Sequence, residues 1–220
     1  MIRALAIVAL LAAPAGAEVC FSGPMAPRPV LGPKPRMSGS GGVIVAGNML
    51  PDWRFRVLNK IERARVVTLA PGLAIYHPPP LPGDEVLLED TDHQLIARVQ
   101  RVFAIEPPLD PPDVTKIVTS TTGTYTRVTA VLGTKAPSAA LVLIVSRVEG
   151  ARTVPLAWAF TFEGLAEVVL WRTPYGCYDT VSTWVQPKAG ERVVLTWVDD
   201  AGRLSEPSKP LTISEAANGK

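Results

Sequence analysis

Histidine is almost missing from this 220-residue chain; His77 and His93 are the two it has. The side chain that most often serves as a general base is therefore scarce. Neither histidine lies near a Gly-x-Ser-x-Gly elbow, and the sequence holds no such elbow. Hydrolase chemistry has little to assemble from, and no catalytic residue is assigned. Cysteine is equally sparse: Cys20 and Cys177 allow one intramolecular bridge and no more. A charge surplus of one sign is lacking too, because 22 Lys and Arg meet 20 Asp and Glu with no block of either. Nothing there argues for nucleic acid as a partner. Long apolar runs are also missing. Residues 4–13 give ten apolar positions where a membrane-crossing helix needs roughly 20, so no transmembrane segment is expected. Helix-period apolar patterning does not occur after residue 17, and 22 widely spread prolines disfavour long helices.

What the sequence does have begins with an export signal. Arg3 supplies a positive start, ALAIVALLAA an apolar stretch, Pro14 a break, and Ala15-Gly16-Ala17 the small-x-small site that a signal peptidase reads. Residues 1–17 are expected to be a signal peptide, and the protein to be periplasmic, on the cell surface or extracellular. Cys20 as a lipid-bearing first residue is the competing reading. Bacterial lipidation wants a small residue directly before the cysteine, whereas Val19 stands there, preceded by Glu18. Removing 1–17 leaves 203 residues, enough for one large or two ordinary domains. A hydrophobic content of 47% with 19% charged residues describes a globular chain.

Residues 18–41 read as a leader. PMAPRPVLGPKPR at 24–36 holds five prolines, and SGSGG at 38–42 forms a hinge. From residue 42 to 106 short apolar bursts predict strands at 43–46, 53–58, 64–69, 73–77, 85–89 and 94–104. In 53–57, Trp53, Phe55 and Val57 alternate with Arg54 and Arg56, one buried face and one wet. PPLDPP at 107–112 is a stiff connector and marks a domain boundary. Beyond it, strands are predicted at 113–119, 124–132, 140–148, 157–162, 166–171, 180–186, 191–198 and 209–213, within a unit of 113–214 and before a tail of 215–220. The continuously apolar run from Ala139 to Val145 predicts a central strand covered on both faces. The expected fold is all-β, two tandem β-sandwiches, the first (42–106) divergent, behaving as separable units. Tryptophans at 158, 171, 184 and 197 stand thirteen apart, which one Trp per evenly spaced strand explains without a sequence repeat.

The stretch 190–213, GERVVLTWVDDAGRLSEPSKPLTI, resembles the last two strands of a fibronectin type III or immunoglobulin-like module. There an alternating strand leads into a turn of the form N/D-x-x-G-x-S-x-P-S. Asp199, Gly202, Ser205, Pro207 and Ser208 fall in comparable places, with one residue inserted between Gly202 and Ser205. DPPDVTKI, from residue 110, resembles the proline-led first strand of such modules. The resemblance implies a sandwich over about 109–214 that serves as a rigid spacer or binding surface. One departure stands out: the family's corner tyrosine aligns near Glu191, so its buried hydroxyl contact is absent or replaced.

Candidate sites are few. Glu89, Asp90, Asp92 and His93 are oxygen-rich enough for calcium but do not follow EF-hand spacing, and read as a charged hairpin turn. Gly39, Gly41 and Gly42 do not open a phosphate cradle. No metal and no cofactor is expected. The one cluster worth following is aromatic: Trp171, Arg172, Tyr175, Tyr178 and Trp184 crowd LWRTPYGCYDTVSTW. Flat rings beside an arginine suit a sugar or a protein hot spot. The plainer reading places the tryptophans in the core. The leading functional expectation is therefore a secreted, non-enzymatic structural or adhesion module that binds a protein or glycan of the cell envelope. The alternative is a carbohydrate-binding protein using the aromatic cluster. Export to an oxidising compartment further predicts a Cys20–Cys177 disulfide, against a buried Cys177 with Cys20 free, lipidated or bridging two chains.

Overall fold

The computed structural model describes residues 26–32, 35–38, 41–47, 51–80, 83–102, 107–123, 125–172 and 185–216. Among them every regular element is a strand, and no helix is long and apolar enough to cross a membrane. The all-β expectation holds, with the sheets layered as in a sandwich.

Before residue 103 two sheets face one another. The first runs in the order β1 (Arg28–Val30), β3 (Val43–Ala46), β7 (Leu73–His77), β6 (Arg65–Ala70). The second runs β2 (Arg36–Ser38), β9 (Leu95–Val102), β8 (Glu85–Glu89), β4 (Arg54–Val57), β5 (Lys60–Arg63). Met37, Val43, Val45, Phe55, Tyr76 and Leu88 fill the space between them. Strand β4 shows the anticipated alternation, with Phe55 and Val57 buried and Arg54 and Arg56 half-exposed. The proline-rich leader is more structured than its composition predicts. Arg28–Val30 pairs with β3 and Arg36–Ser38 pairs in parallel with β9, so the stretch read as a solvated leader adds an edge to each sheet.

After residue 113 one sheet of seven strands runs β13 (Arg152–Phe160), β12 (Ala140–Glu149), β15 (Arg192–Asp199), β16 (Leu211–Glu215), β10 (Val114–Thr122), β11 (Tyr125–Leu132), β14 (Glu167–Arg172). The β10–β16 pair is parallel and the others are antiparallel. The sheet doubles over its own core, where Ile117, Val128 and Leu170 from one layer meet Leu143, Leu195 and Trp197 from the other.

The turn after β15 explains why its residues are the ones they are. The Asp199 carboxylate accepts hydrogen bonds from the backbone N–H of Ala201 and of Arg203, and from the Arg203 guanidinium at 2.8 Å. The chain then runs back beside β15. Ser205 and Ser208 present their hydroxyl oxygens to the buried N–H groups of Trp197 and Leu195, each at 3.0 Å. Two side chains thus satisfy donors that would otherwise be buried unpaired. At the other corner, the Glu191 carboxylate accepts from the Lys188 N–H at 2.8 Å and from Arg147 at 3.2 Å.

No ladder joins the two halves among the described residues, yet they are not free of one another. Strands β3, β7 and β12 are apolar on both faces. Val43 and Val45 look into the first core, while Ile44 and Ala46 look away from it. Leu73 and Ile75 do the same on β7. They meet Val142, Ile144, Trp158 and Val198 from the second half in a third, fully buried cluster. Polar contacts reinforce it. Trp158 Nε1 donates to the Pro71 carbonyl at 2.9 Å, and Arg36 pairs with Asp200 at 3.0 Å. Gly202, at φ +71°, lies so close over the backbone of Gly42 that a Cβ would collide with it. The two halves therefore share buried apolar surface.

Candidate functional site

At the rim of the junction, β1 and the end of β13 enclose an open cleft of about 480 Å³. Pro29, Val30 and Leu31 form one wall; Ala140, Leu141, Phe160 and Phe162 form the other; Arg28 and Glu163 supply the charge. The Arg28 guanidinium lies 5.3 Å from the centre of the Phe160 ring, a cation–π contact that holds it over the apolar surface. Phe160 in turn meets Trp158 edge to face at 5.0 Å, which ties the cleft to the buried junction.

The segment beyond β13 is pinned. Thr161 donates its hydroxyl to the Ala140 carbonyl at 2.8 Å and its N–H to Leu141 at 3.0 Å. Gly164 N–H donates to Ala136, and Ala136 N–H donates to Leu165. Between these anchors Phe162 stands 69% exposed and Leu31, across the cleft, 38%. Phe162 is therefore held out by a hydrogen-bonded backbone with Leu31 across from it, an arrangement that suits contact with another molecule more than isolated surface leucines do.

Of the residues singled out from the sequence, Trp171 and Arg172 lie on β14. Trp171 faces Val128 across the ladder and packs half-buried against the core of the second half, while Arg172 is exposed. Tyr175, Tyr178 and Trp184 lie outside the described residues, as do Cys20 and Cys177 and hence the predicted disulfide, the signal peptide and positions 180–184 of the strand predicted at 180–186; Val185 and Gln186, the last two positions of that prediction, are described and belong to no strand. Trp171 and Arg172 do not line the cleft. The cleft residues escaped notice although a signal was there: in AWAFTF, Trp158, Phe160 and Phe162 alternate at the period of a strand face.

The two histidines serve local structure. His77 Nδ1 lies 3.1 Å from the Gly41 carbonyl, and burial pushes its pKa below the usual value, against the pull of that bond and with help from Arg65. His93 stands 3.5 Å from the buried Glu89, which is also bonded to Arg56. Asp90 accepts from the N–H groups of Asp92 and Gln94, so the acidic stretch closes a turn. Neither histidine reaches the cleft. Among the described residues, no three His, Cys, Asp or Glu side chains converge as metal ligands. Tyr76, buried between the sheets, donates to the Pro51 carbonyl at 2.7 Å; burial, aided by the charge of Asp52, raises its pKa to about 12.

No known family matches the chain, and no curated protein matches it. Among solved structures, it is similar at 12% identity and a TM-score of 0.24 to SGBP-B of the Bacteroides ovatus mixed-linkage glucan utilization locus, solved with a mixed-linkage heptasaccharide. That match covers 83% of this chain and 43% of the other, so the chain spans less than half the length of that protein. Likeness at this level carries no conclusion about ligand.

Proposed function

We propose that the protein is an exported, non-enzymatic β-sandwich module that binds a partner in the cell envelope through the junction cleft. The observation that carries this is Phe162, held exposed by a hydrogen-bonded segment beside an apolar cleft built from both halves. A surface of this kind gains by burial, at about 25 cal/mol per Å² of apolar area, without first ordering itself. The buried third cluster would keep the two walls at fixed separation, as a binding module or spacer requires.

The second half is proposed to be a fibronectin type III or immunoglobulin-like module. Its strand sequence supports this: three strands, β14-β11-β10, lie over four, β13-β12-β15-β16, in the arrangement such sandwiches use. The Glu191 carboxylate bonding back to Lys188 does the work of the family's corner hydroxyl.

Copurification from the native envelope tests the function. Wild-type protein should retain a partner that Phe162→Glu loses while keeping its β-sheet circular dichroism. Retention undiminished in Phe162→Glu would remove the cleft from the proposal. A glycan array run on the same two proteins and on Trp171→Ala separates the carbohydrate reading: sugar binding lost only on Trp171→Ala would return the site to the aromatic cluster.

A further inference from the structure

Six strands end the three sheets, and five of them are guarded. Sheet edges carry unpaired N–H and C=O groups, and natural proteins blunt them with proline, charge, shortness or cover. Strand β1 is three residues long with Pro29 at its centre, and β2 is three residues long with Arg36 paired to Asp200. Strand β5 carries Lys60, Glu62 and Arg63 in four positions. Strand β13 contains Pro155, and its Leu156 carbonyl is taken by the Val185 N–H. Strand β14 begins at Glu167 and ends at Arg172, a charge at each end. Strand β6 is the exception.

It runs six residues, RVVTLA, without proline and with one charge; it touches β13 of the second half, yet its outer edge has no ladder partner among the described residues. Its neighbour β7 is covered on both faces, since Tyr76 and Ala74 look into one core and Ile75 and Leu73 into another. On β6 the cover stops. Val66 and Val67 lie opposite Tyr76 and Ile75, on opposite faces, and are 40% and 37% exposed. Leu69 and Ala70 lean on the junction, so the open part is Arg65–Thr68, an overhanging strand with apolar residues on both sides.

We propose that this edge pairs with β6 of a second copy, antiparallel about a two-fold axis at Val67, joining two four-stranded sheets into one of eight. The strand's own residues fit that partner. In this register Val67 meets Val67, Val66 meets Thr68 and Arg65 meets Leu69. Each pair is apolar or mixed, and no like charges face one another. The two Arg65 residues lie four positions apart along the ladder, about 13 Å at ~3.3 Å per residue, beyond the screening length of about 10 Å at 0.1 M salt. The interface is isologous and closes at two copies. So short a ladder buries less than a standard interface of about 1,600 Å² and gives a weak, concentration-dependent dimer.

Sedimentation equilibrium of the full chain across micromolar to millimolar concentration tests this. Its mass should rise from that of the monomer toward twice that value. Val67→Lys, which sets two ammonium groups against each other at the axis on an exposed position, should stay monomeric. Val67→Thr should associate as the wild type does. Under mild oxidation Val67→Cys should form a covalent dimer several-fold more readily than the wild type or Arg65→Cys, because only at the axis does a residue face itself at about 4.5–5.5 Å between Cβ atoms. A wild type that stays monomeric throughout would overturn the proposal. So would a Val67→Lys variant that associates equally, or covalent dimer independent of the cysteine's position.

Discussion

Replacing Trp158 by alanine removes the largest side chain of the third cluster and should weaken both halves of the protein together. Trp158 is 1% exposed, packs edge to face on Phe160, and donates to the Pro71 carbonyl in the turn between β6 and β7. Its own strand belongs to the second half; the carbonyl belongs to the first. Truncating a buried tryptophan to alanine costs about 3–5 kcal/mol through lost transfer energy and the cavity left behind. Roughly 1 kcal/mol of that is the hydrogen bond, and the Pro71 carbonyl left without its donor adds to the penalty unless water reaches it. For a chain of this length the loss corresponds to a fall of about 6–20 °C in Tm. Hydrogen exchange read by mass spectrometry across a urea series separates the possibilities. If the cluster welds the halves, peptides covering Phe55–Val57 and Leu88 should lose protection at the same lowered midpoint as peptides covering Leu143–Val145. Wild-type midpoints in the first half alongside a destabilised second half would refute the coupling.

Three further outcomes follow from the geometry. Ser205→Ala and Ser208→Ala each strip the acceptor from a buried β15 N–H, and each should cost about 1–3 kcal/mol in urea unfolding; a loss of under a few tenths would mean water takes the hydroxyl's place. Tyr76 has a folded pKa of about 12 against ~10 unfolded, so its contribution is intact below pH 10 and is lost as pH rises toward 12; ultraviolet titration should show one tyrosine ionising late, and Tyr76→Phe should remove that step. His77 is shifted the other way. Its contribution is full above the unfolded value near 6.5 and falls as pH drops through that value toward the lower folded one, because the unfolded chain then binds the extra proton. Urea midpoints compared at pH 7.5 and 5.5 should fall more for the wild type than for His77→Gln, and equal falls would contradict the assignment.

The sequence by itself determined the strands wherever the local pattern was unambiguous. The apolar bursts at 43–46, 73–77 and 85–89 are strands with those bounds. Alternation in 53–57 told the buried face of β4 from the wet one, and the unbroken run from Ala139 to Val145 announced a strand covered on both faces. These are properties of a strand's own side chains, and a period of two survives any arrangement of the sheets. Where a segment becomes a strand only because a neighbour offers its edge, the sequence was silent. Lys60–Arg63 is exposed at every position and is held by β4, while Arg28–Val30 is held by β3 in spite of Pro29. Residues 152–156 of β13 precede the strand predicted at 157–162; there Pro155 sits in the ladder beside a register shift between Val145 and Ser146. What covers the second face of β12 was likewise decided only in three dimensions. Val142 and Ile144 could have met a helix, another strand or a partner, and it is Ile44, Leu73 and Ile75, some seventy to a hundred residues earlier in the chain, that lie against them. The cleft exists for the same reason. The alternation of Phe160 and Phe162 marks a strand face, but nothing in the sequence brings Arg28 and Leu31, about 130 residues earlier, against them. They line one cleft because apolar surface on both halves is buried most fully when the two stack, and the rim of that stack is where their side chains meet.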